Sequence, residues 1–313
     1  MRLVRDHWYV VLSSDEVPVG KPIGTRRLGL DLVVWRDREG QPRAAVDRCP
    51  HRWAKLSLGR IVDGCVECPF HGWRFDADGS CTSVPAHPER PSSGAAALDT
   101  LPLAEAHGFI WAWVGPGAPD APPPFFDFSG YTWAGSAFTA EWPVSHTRSV
   151  ENQLDFTHLP FVHRGSIGRG LPVDKEVITE ADGDLIRFGS SGSGIMIDFI
   201  GPSIWRLPTG PVWQFLAFVP VDEERMIYYS RSYQRMILVP GLSWVVGKVG
   251  AVFSQRVLRE DEAVVCSQPP GATRLRMGEL LVPSDGPIIA YRRWREALLV
   301  ELDEVLGLKS TES

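Results

Sequence analysis

The sequence predicts an α+β protein in two parts, a first over residues 1–120 of short strands with tight turns and a second over 121–313 that mixes helices and strands. Three observations carry this. The first ~115 residues are short β-branched and aromatic runs parted by turn residues, and GPGAPDAPPP at 115–124 packs five prolines and two glycines into ten positions. Beyond it, strand-like runs sit between helical stretches, the order expected of α+β.

Each element follows from its residues. WYVVLS (8–13), LDLVVW (30–35) and FIWAWV (109–114) are rich in strand formers, and Asp37–Gly40 reads as a hairpin turn. The proline-rich stretch can sustain neither helix nor central strand, so it marks the domain boundary. After it, a helix is expected over about 149–159, strands over WQFLAFVPV (213–221) and MIYYSRSYQRMILV (226–239), and helices near 253–267 and 287–306. There is no internal repeat.

Composition bounds the function. The chain has 313 residues, 44% hydrophobic and 22% charged, which is ordinarily globular and long enough for two cores. A net charge of −6 argues against nucleic acid. The opening MRLVRDHWYVVLSSDEV has only a short, interrupted apolar run, so neither a signal peptide nor a membrane partner is expected and the location expected is cytoplasmic. Five cysteines are an odd number for a disulfide framework and fit thiolate ligands in a reducing compartment better.

Residues 49–73, CPHRWAKLSLGRIVDGCVECPFHGW, hold Cys49 and His51 one residue apart, Cys68 and His71 two apart, and sixteen residues between the pairs. Two chemistries want such loops. Zinc binds Cys and His tetrahedrally and is often a structural staple. A two-iron, two-sulfur cluster with two thiolates on one iron and two imidazoles on the other is the alternative, and the exchange of thiolate for imidazole raises its reduction potential. The one-residue spacing is expected to set Cys49 and His51 on one side of an extended loop, with Pro50 and Pro69 stiffening the loops and Gly72 allowing close backbone approach. Taken with the flanking LSLG and FDADG, C-P-H-R, sixteen residues and C-P-F-H-G-W resembles the Rieske cluster motif. Cys65 and Cys81 do not match the bracing disulfide of respiratory-chain Rieske proteins, and are read as small buried thiols.

A second constellation lies in SVENQLDFTHLPFVHRG, 149–165. Asn152, Asp155 and His158 are spaced by three and would share one stripe of a helix. His163, five residues past His158, would point about 140° away on a straight helix, so the chain is expected to turn at Pro160 and bring the rings together. Two histidines and one carboxylate on one face of iron(II) leave positions open for dioxygen.

ENQLDFTHLPFVH resembles the mononuclear iron segment of the catalytic subunit of Rieske non-haem iron oxygenases. The resemblance covers nearly the whole chain and implies an N-terminal Rieske β-sandwich and a C-terminal helix-grip domain with a curved antiparallel sheet. It implies a [2Fe-2S] cluster on Cys49, His51, Cys68 and His71, and mononuclear Fe(II) on His158 and His163. It also implies Asp155 as the link between metal centres and Asn152 as a residue beside the iron. Within VLREDEAVVCSQP, 257–269, the family's acidic residue seven positions before a glutamine matches Asp261 and Gln268. Glu260 and Glu262 are adjacent competitors, and Glu151 an outside candidate.

The resemblance further implies a head-to-tail homotrimer without a small second subunit, and a separate ferredoxin or reductase as electron donor. The activity implied is use of O2 to mono-oxygenate, by hydroxylation or oxidative demethylation, a small aromatic, heterocyclic or alicyclic substrate. Ring cis-dihydroxylation and a pure Rieske electron carrier are the alternatives. Trp53 and Lys55 depart from the small residues or proline of many relatives. The apolar runs 195–205 and 213–219 are read either as cavity lining or as sheet core, and Arg206, Arg231 and Arg235 as solvated charges.

Overall fold

The computed structural model describes residues 1–89, 96–117, 119, 122–174, 176–192 and 194–302. Part of the proline-rich stretch lies outside these, as do residues 303–306 of the expected 287–306 helix, which in fact ends at Leu298 because Leu299 turns extended and Leu299–Glu301 form a strand. The chain forms two compact units, Met1–Pro123 together with the chain from Val300, and Pro124–Leu299. Residues 300–302 therefore join the first unit, where Leu302 N–H donates to Met1 O at 3.2 Å.

The described residues of the first unit are mainly β-strands with short 3-10 turns. One antiparallel sheet orders Thr100–Leu101, Pro42–Val46, Leu30–Arg36 and Ile23–Arg27, and another orders Leu103–Ala106, Phe109–Val114 and His7–Ser13. The three strands read from the sequence are here, and Gly40 N–H closes the Asp37 turn at 3.1 Å with φ of 79°. A third sheet, Arg60–Val62, Cys65–Glu67, Arg74–Phe75 and Cys81–Ser83, carries the second cysteine loop. Val33, Trp35 and Ala45 share one core with Val66, Phe75 and Cys81, and Cys49 and Cys68 lie inside it. The two four-stranded sheets are thus layers of a sandwich whose seam holds both cysteines. Cys81 is buried as expected, whereas Cys65 is only partly covered.

The second unit is built on a seven-stranded antiparallel sheet. Its order is Phe138–Trp142, Met226–Gln234, Val212–Pro220, Ile204–Thr209, Met196–Ile200, Leu185–Ser190 and Val177–Asp182. Among the described residues four α-helices accompany it: α1 His146–Leu154, α2 Leu159–Val162, α3 Pro240–Val265 and α4 Gly286–Leu298. Val150 and Leu154 of α1, Leu258 and Val265 of α3 and Tyr291 of α4 join Phe188, Phe199, Leu216, Phe218 and Tyr228 in one core. Ile197, Phe199, Trp205, Leu216 and Phe218 from the two apolar runs are members of that core.

Helix bounds differ from expectation in instructive ways. α1 stops at Leu154 because Asp155 leaves helical dihedrals (φ −86°, ψ 119°). Its Oδ1 instead accepts from Thr157 N–H and Thr157 Oγ1, both at 2.7 Å. Asp side chains compete with the helix in this way, so the expected run to 159 is broken. Pro160 opens α2 instead of ending a helix, since its missing N–H costs nothing in a first turn. α3 begins thirteen residues earlier than the sequence suggested, because Pro240 starts an apolar helical segment without polar periodicity.

Candidate metal centres

In the first unit, the strand end at Asp47 anchors the leading loop: its carboxylate accepts from Ser57 N–H at 2.8 Å and Ser57 Oγ at 2.6 Å. The two cysteine loops then repeat one pattern. Cys49 N–H donates to Ala54 O at 2.9 Å while Cys49 O accepts from Trp53 N–H at 2.8 Å. Cys68 N–H donates to Trp73 O at 2.8 Å while Cys68 O accepts from Gly72 N–H at 3.0 Å. The residue closing each turn is left-handed, Trp53 at φ 61° and Gly72 at φ 70°. Cys49 to His51 is therefore a closed turn and not the extended loop expected, because Trp53 N–H folds back onto Cys49 O.

The turns put sulfur inside and imidazole outside. Cys49 and Cys68 are 1% and 2% exposed, whereas His51 and His71 are exposed with ring centroids 4.6 Å apart. Trp73 stacks on His51 at 4.6 Å and 3° and fixes its plane. Burial, joined by the adjacent Cys68 thiol, pushes the Cys49 thiol up to about 12, so Cys49 ionises only against a strong cation. Two buried sulfurs beneath two neighbouring imidazoles fit the donor set of a [2Fe-2S] cluster with mixed ligation.

In the second unit, His158, His163 and Asp261 each offer one ligand atom, and these atoms lie within 4.8 Å of one another. The turn at Asp155 to Thr157, the short α2 and the buried stripe of α3 bring them together. Asp261 Oδ1 lies 3.0 Å from His163 Nε2 and 3.4 Å from His158 Nε2, yet it makes no well-directed hydrogen bond. The three atoms face a common point more than they face each other, which fits a cation. Burial alone would raise the Asp261 carboxyl, but the two imidazoles hold it below its usual range.

His163 is fixed from behind. Its Nδ1 lies 2.9 Å from Glu260 Oε2, which also accepts from Ser166 Oγ at 2.5 Å. Burial would lower the His163 ring, yet Asp261 and Glu260 together raise it. Glu260 thus stands behind a candidate ligand, in the geometry by which a carboxylate can orient a metal-binding imidazole. Gln153 Nε2 approaches Asp261 Oδ2 at 3.4 Å. The sequence reading missed this role, having selected the neighbouring Asn152; only the pairing of α1 with α3 reveals it.

The remaining candidates fall elsewhere. Asp155 is off the helical stripe, with Oδ2 3.8 Å from His158 Nδ1, too long for a hydrogen bond. Asn152 Nδ2 is buried without a hydrogen-bond partner. Glu151 is held by Arg292 at 2.8 and 2.6 Å in a buried pair and does not join the triad. Glu262 is likewise not in the group of three, and Gln268 is exposed. Of the three arginines read as solvated, Arg231 is 2% exposed beneath Trp133, and Arg206 pairs with Asp198 between the rings of Phe126 and Trp213. Arg235 is exposed, over the Tyr131 ring.

Residues 7–102 match the family model described as the Rieske [2Fe-2S] domain. Chlorophyllide a oxygenase from Chlamydomonas reinhardtii is 38% identical over 59% of this chain and 28% of its own length. The oxygenase component of chloroacetanilide N-alkylformylase from Rhizorhabdus wittichii is 45% identical over 36% and 31%. The chain spans about half or less of the length of the curated relatives it matches. Among solved structures, Pseudomonas putida CBB5 NdmA superposes with a TM-score of 0.77 at 25% identity, covering 93% of this chain and 89% of that one. Dicamba monooxygenase bound to dicamba gives 0.75 at 22%, over 98% and 99%, a likeness of fold.

The first unit is a Rieske domain. Over 93% of its length the chain shares its fold with NdmA, and its second unit brings two histidines and one carboxylate together.

Proposed function

We propose that this chain is the oxygenase component of a multi-protein system that mono-oxygenates a small organic molecule, by hydroxylation or oxidative demethylation. The observation carrying the proposal is the convergence of His158 Nε2, His163 Nε2 and Asp261 Oδ1 on one buried point. Iron held by two imidazoles and one carboxylate keeps positions open for dioxygen and supplies the oxidising chemistry. Relatives named as components of a monooxygenase and of an N-alkylformylase oxygenase support mono-oxygenation over ring cis-dihydroxylation.

The chain's own residues have separable tasks. Cys49, Cys68, His51 and His71 would hold the cluster, which would supply one-electron chemistry fed by a separate ferredoxin or reductase, with His51 and His71 standing at the surface. Glu260 holds the Nδ1 proton of His163, so that Nε2 presents its lone pair. Gln153 steadies Asp261 Oδ2 and leaves Oδ1 for the metal. In a head-to-tail trimer, Asp155 Oδ2 of one subunit would face His71 of the next and shorten the electron path.

Iron content and visible absorption test the reading. The expectation is a red-brown protein absorbing between about 400 and 600 nm, with about three irons per chain, that consumes O2 stoichiometrically with a hydroxylated or demethylated product when given reductant. A preparation with about two irons and no O2 consumption across a broad substrate panel would make it an electron carrier instead.

A further inference from the structure

α3 changes character along its length. Its C-terminal half carries Arg256, Arg259, Glu260, Asp261 and Glu262, whereas GLSWVVGKVGAVF at 241–253 has Lys248 as its single charge. This apolar half rests on the unit through a narrow line of small residues, the buried Ser243, Gly247 and Ala251. A Cβ on Gly247 would collide with the Ala134 carbonyl, so the contact is close and thin. On both flanks of that line Leu242, Trp244, Val245, Val249, Val252 and Phe253 are half or more exposed. The preceding residues Met236, Leu238 and Val239 are equally exposed.

A helix that is apolar nearly all round is ordinarily covered, and a continuous exposed apolar surface marks an interaction site. Charge says what covers this one. From Arg225 to Arg259 the chain has no Asp or Glu and six Lys or Arg, although the whole protein carries −6. Arg235, Lys248, Arg256 and Arg259 are exposed along this segment. Two copies meeting face to face would set like charges together, and the head-to-tail contact proposed above runs through Asp155 and His71, outside this segment. Arg225 is paired with Asp222 and Glu141 and Arg256 with Glu260, but an apolar face with Trp and Phe whose own segment carries the exposed Arg235 and Lys248 and no acid suits the boundary between headgroups and acyl chains of an anionic leaflet. No helix among the described residues is long and apolar enough to cross a membrane, so α3 would lie on the surface.

We propose that the N-terminal half of α3, with the Met236–Val239 segment, seats this protein on an anionic membrane surface. This departs from the membrane-free expectation of the sequence, and it rests on α3 alone, independent of the oxygenase reading.

The test is flotation of the cluster-loaded full chain with vesicles of phosphatidylcholine, and of phosphatidylcholine with about one third phosphatidylglycerol. The expected result is a bound fraction at least about tenfold higher on the anionic vesicles, falling as salt rises. Two variants are compared with the parent, Leu242→Ser/Val249→Ser/Val252→Ser and Arg235→Glu/Lys248→Glu. Each should reduce binding about tenfold or more while keeping cluster colour and circular dichroism. Absence of binding to either vesicle overturns the proposal, as does undiminished binding by both variants. A serine variant that instead drops to a smaller species by light scattering, with no lipid binding in the parent, would assign the face to a second copy and equally overturn it.

Discussion

Glu260 Oε2 lies 2.9 Å from Nδ1 of His163, on the side of the ring opposite the Nε2 atom that faces Asp261. One carboxylate therefore fixes the tautomer of an imidazole while the next residue in the chain offers the opposing ligand oxygen. Glu260→Gln should keep the fold and the cluster spectrum but weaken iron binding at the second centre by about 10–100-fold. Iron titration followed by elemental analysis measures it. Unchanged affinity would mean that Glu260 is only a surface carboxylate beside Ser166 and Arg256.

The assignment of two separate centres predicts opposite losses. Cys68→Ser should abolish the visible absorption while leaving about one iron per chain. His158→Ala should keep the absorption and lose both that iron and turnover. If His158→Ala still turns over, His158 is not a ligand.

Asp155 is the sharpest test of subunit cooperation. Asp155→Asn retains an oxygen for Thr157 N–H and Oγ1, so the turn should survive. Both metals should bind and the cluster should reduce, yet turnover should fall by at least about 10–100-fold. Rapid mixing of the reduced, substrate-bound variant with O2 would follow cluster reoxidation; a rate equal to that of the parent removes Asp155 from the path.

Gly72 and Trp53 occupy equivalent left-handed positions, and only one has a side chain. Gly72→Ala should destabilise the cluster domain by about 1–2 kcal/mol, and its new Cβ would also press on Pro85 Cγ at 3.1 Å. Thermal melting followed at the cluster absorption reads this. No shift in the melt would show that the second loop tolerates a side chain as the first tolerates Trp53.

His146 supplies a pH dependence away from the metals. Burial, with a smaller contribution from the Arg295 charge, pushes its ring from 6.5 down to about 3, and Nδ1 has no hydrogen-bond partner. A histidine depressed in the fold stays neutral there while the unfolded chain takes up a proton below pH 6.5. Stability is therefore full above that pH and declines as pH falls towards about 3, by on the order of a few kcal/mol in total. His146→Gln should flatten the acid limb of denaturant unfolding; an identical limb in both proteins would place the acid sensitivity elsewhere.

Much of this was legible in the residues alone. Strand composition marked the first-unit sheets, since β-branched and aromatic runs such as Phe109–Val114 read the same in any context. The cysteine and histidine rhythm of 49–71 points to a cluster because ligand spacing within a short loop is a local property. Spacing also selected His158 and His163, but for partly the wrong reason. The sequence could not weigh helix continuation against the Asp155–Thr157 turn, two local options whose balance depends on packing around α1 and α2. Glu260 and Gln153 were beyond it altogether. Their roles exist only because α3, more than ninety residues further on, lays its buried stripe against α1 and the His158–His163 segment, a long-range contact that no local pattern encodes. The same holds for the apolar half of α3: the sequence contains its residues, but only the tertiary fold decides that a thin line of small side chains is buried and the bulky ones remain uncovered.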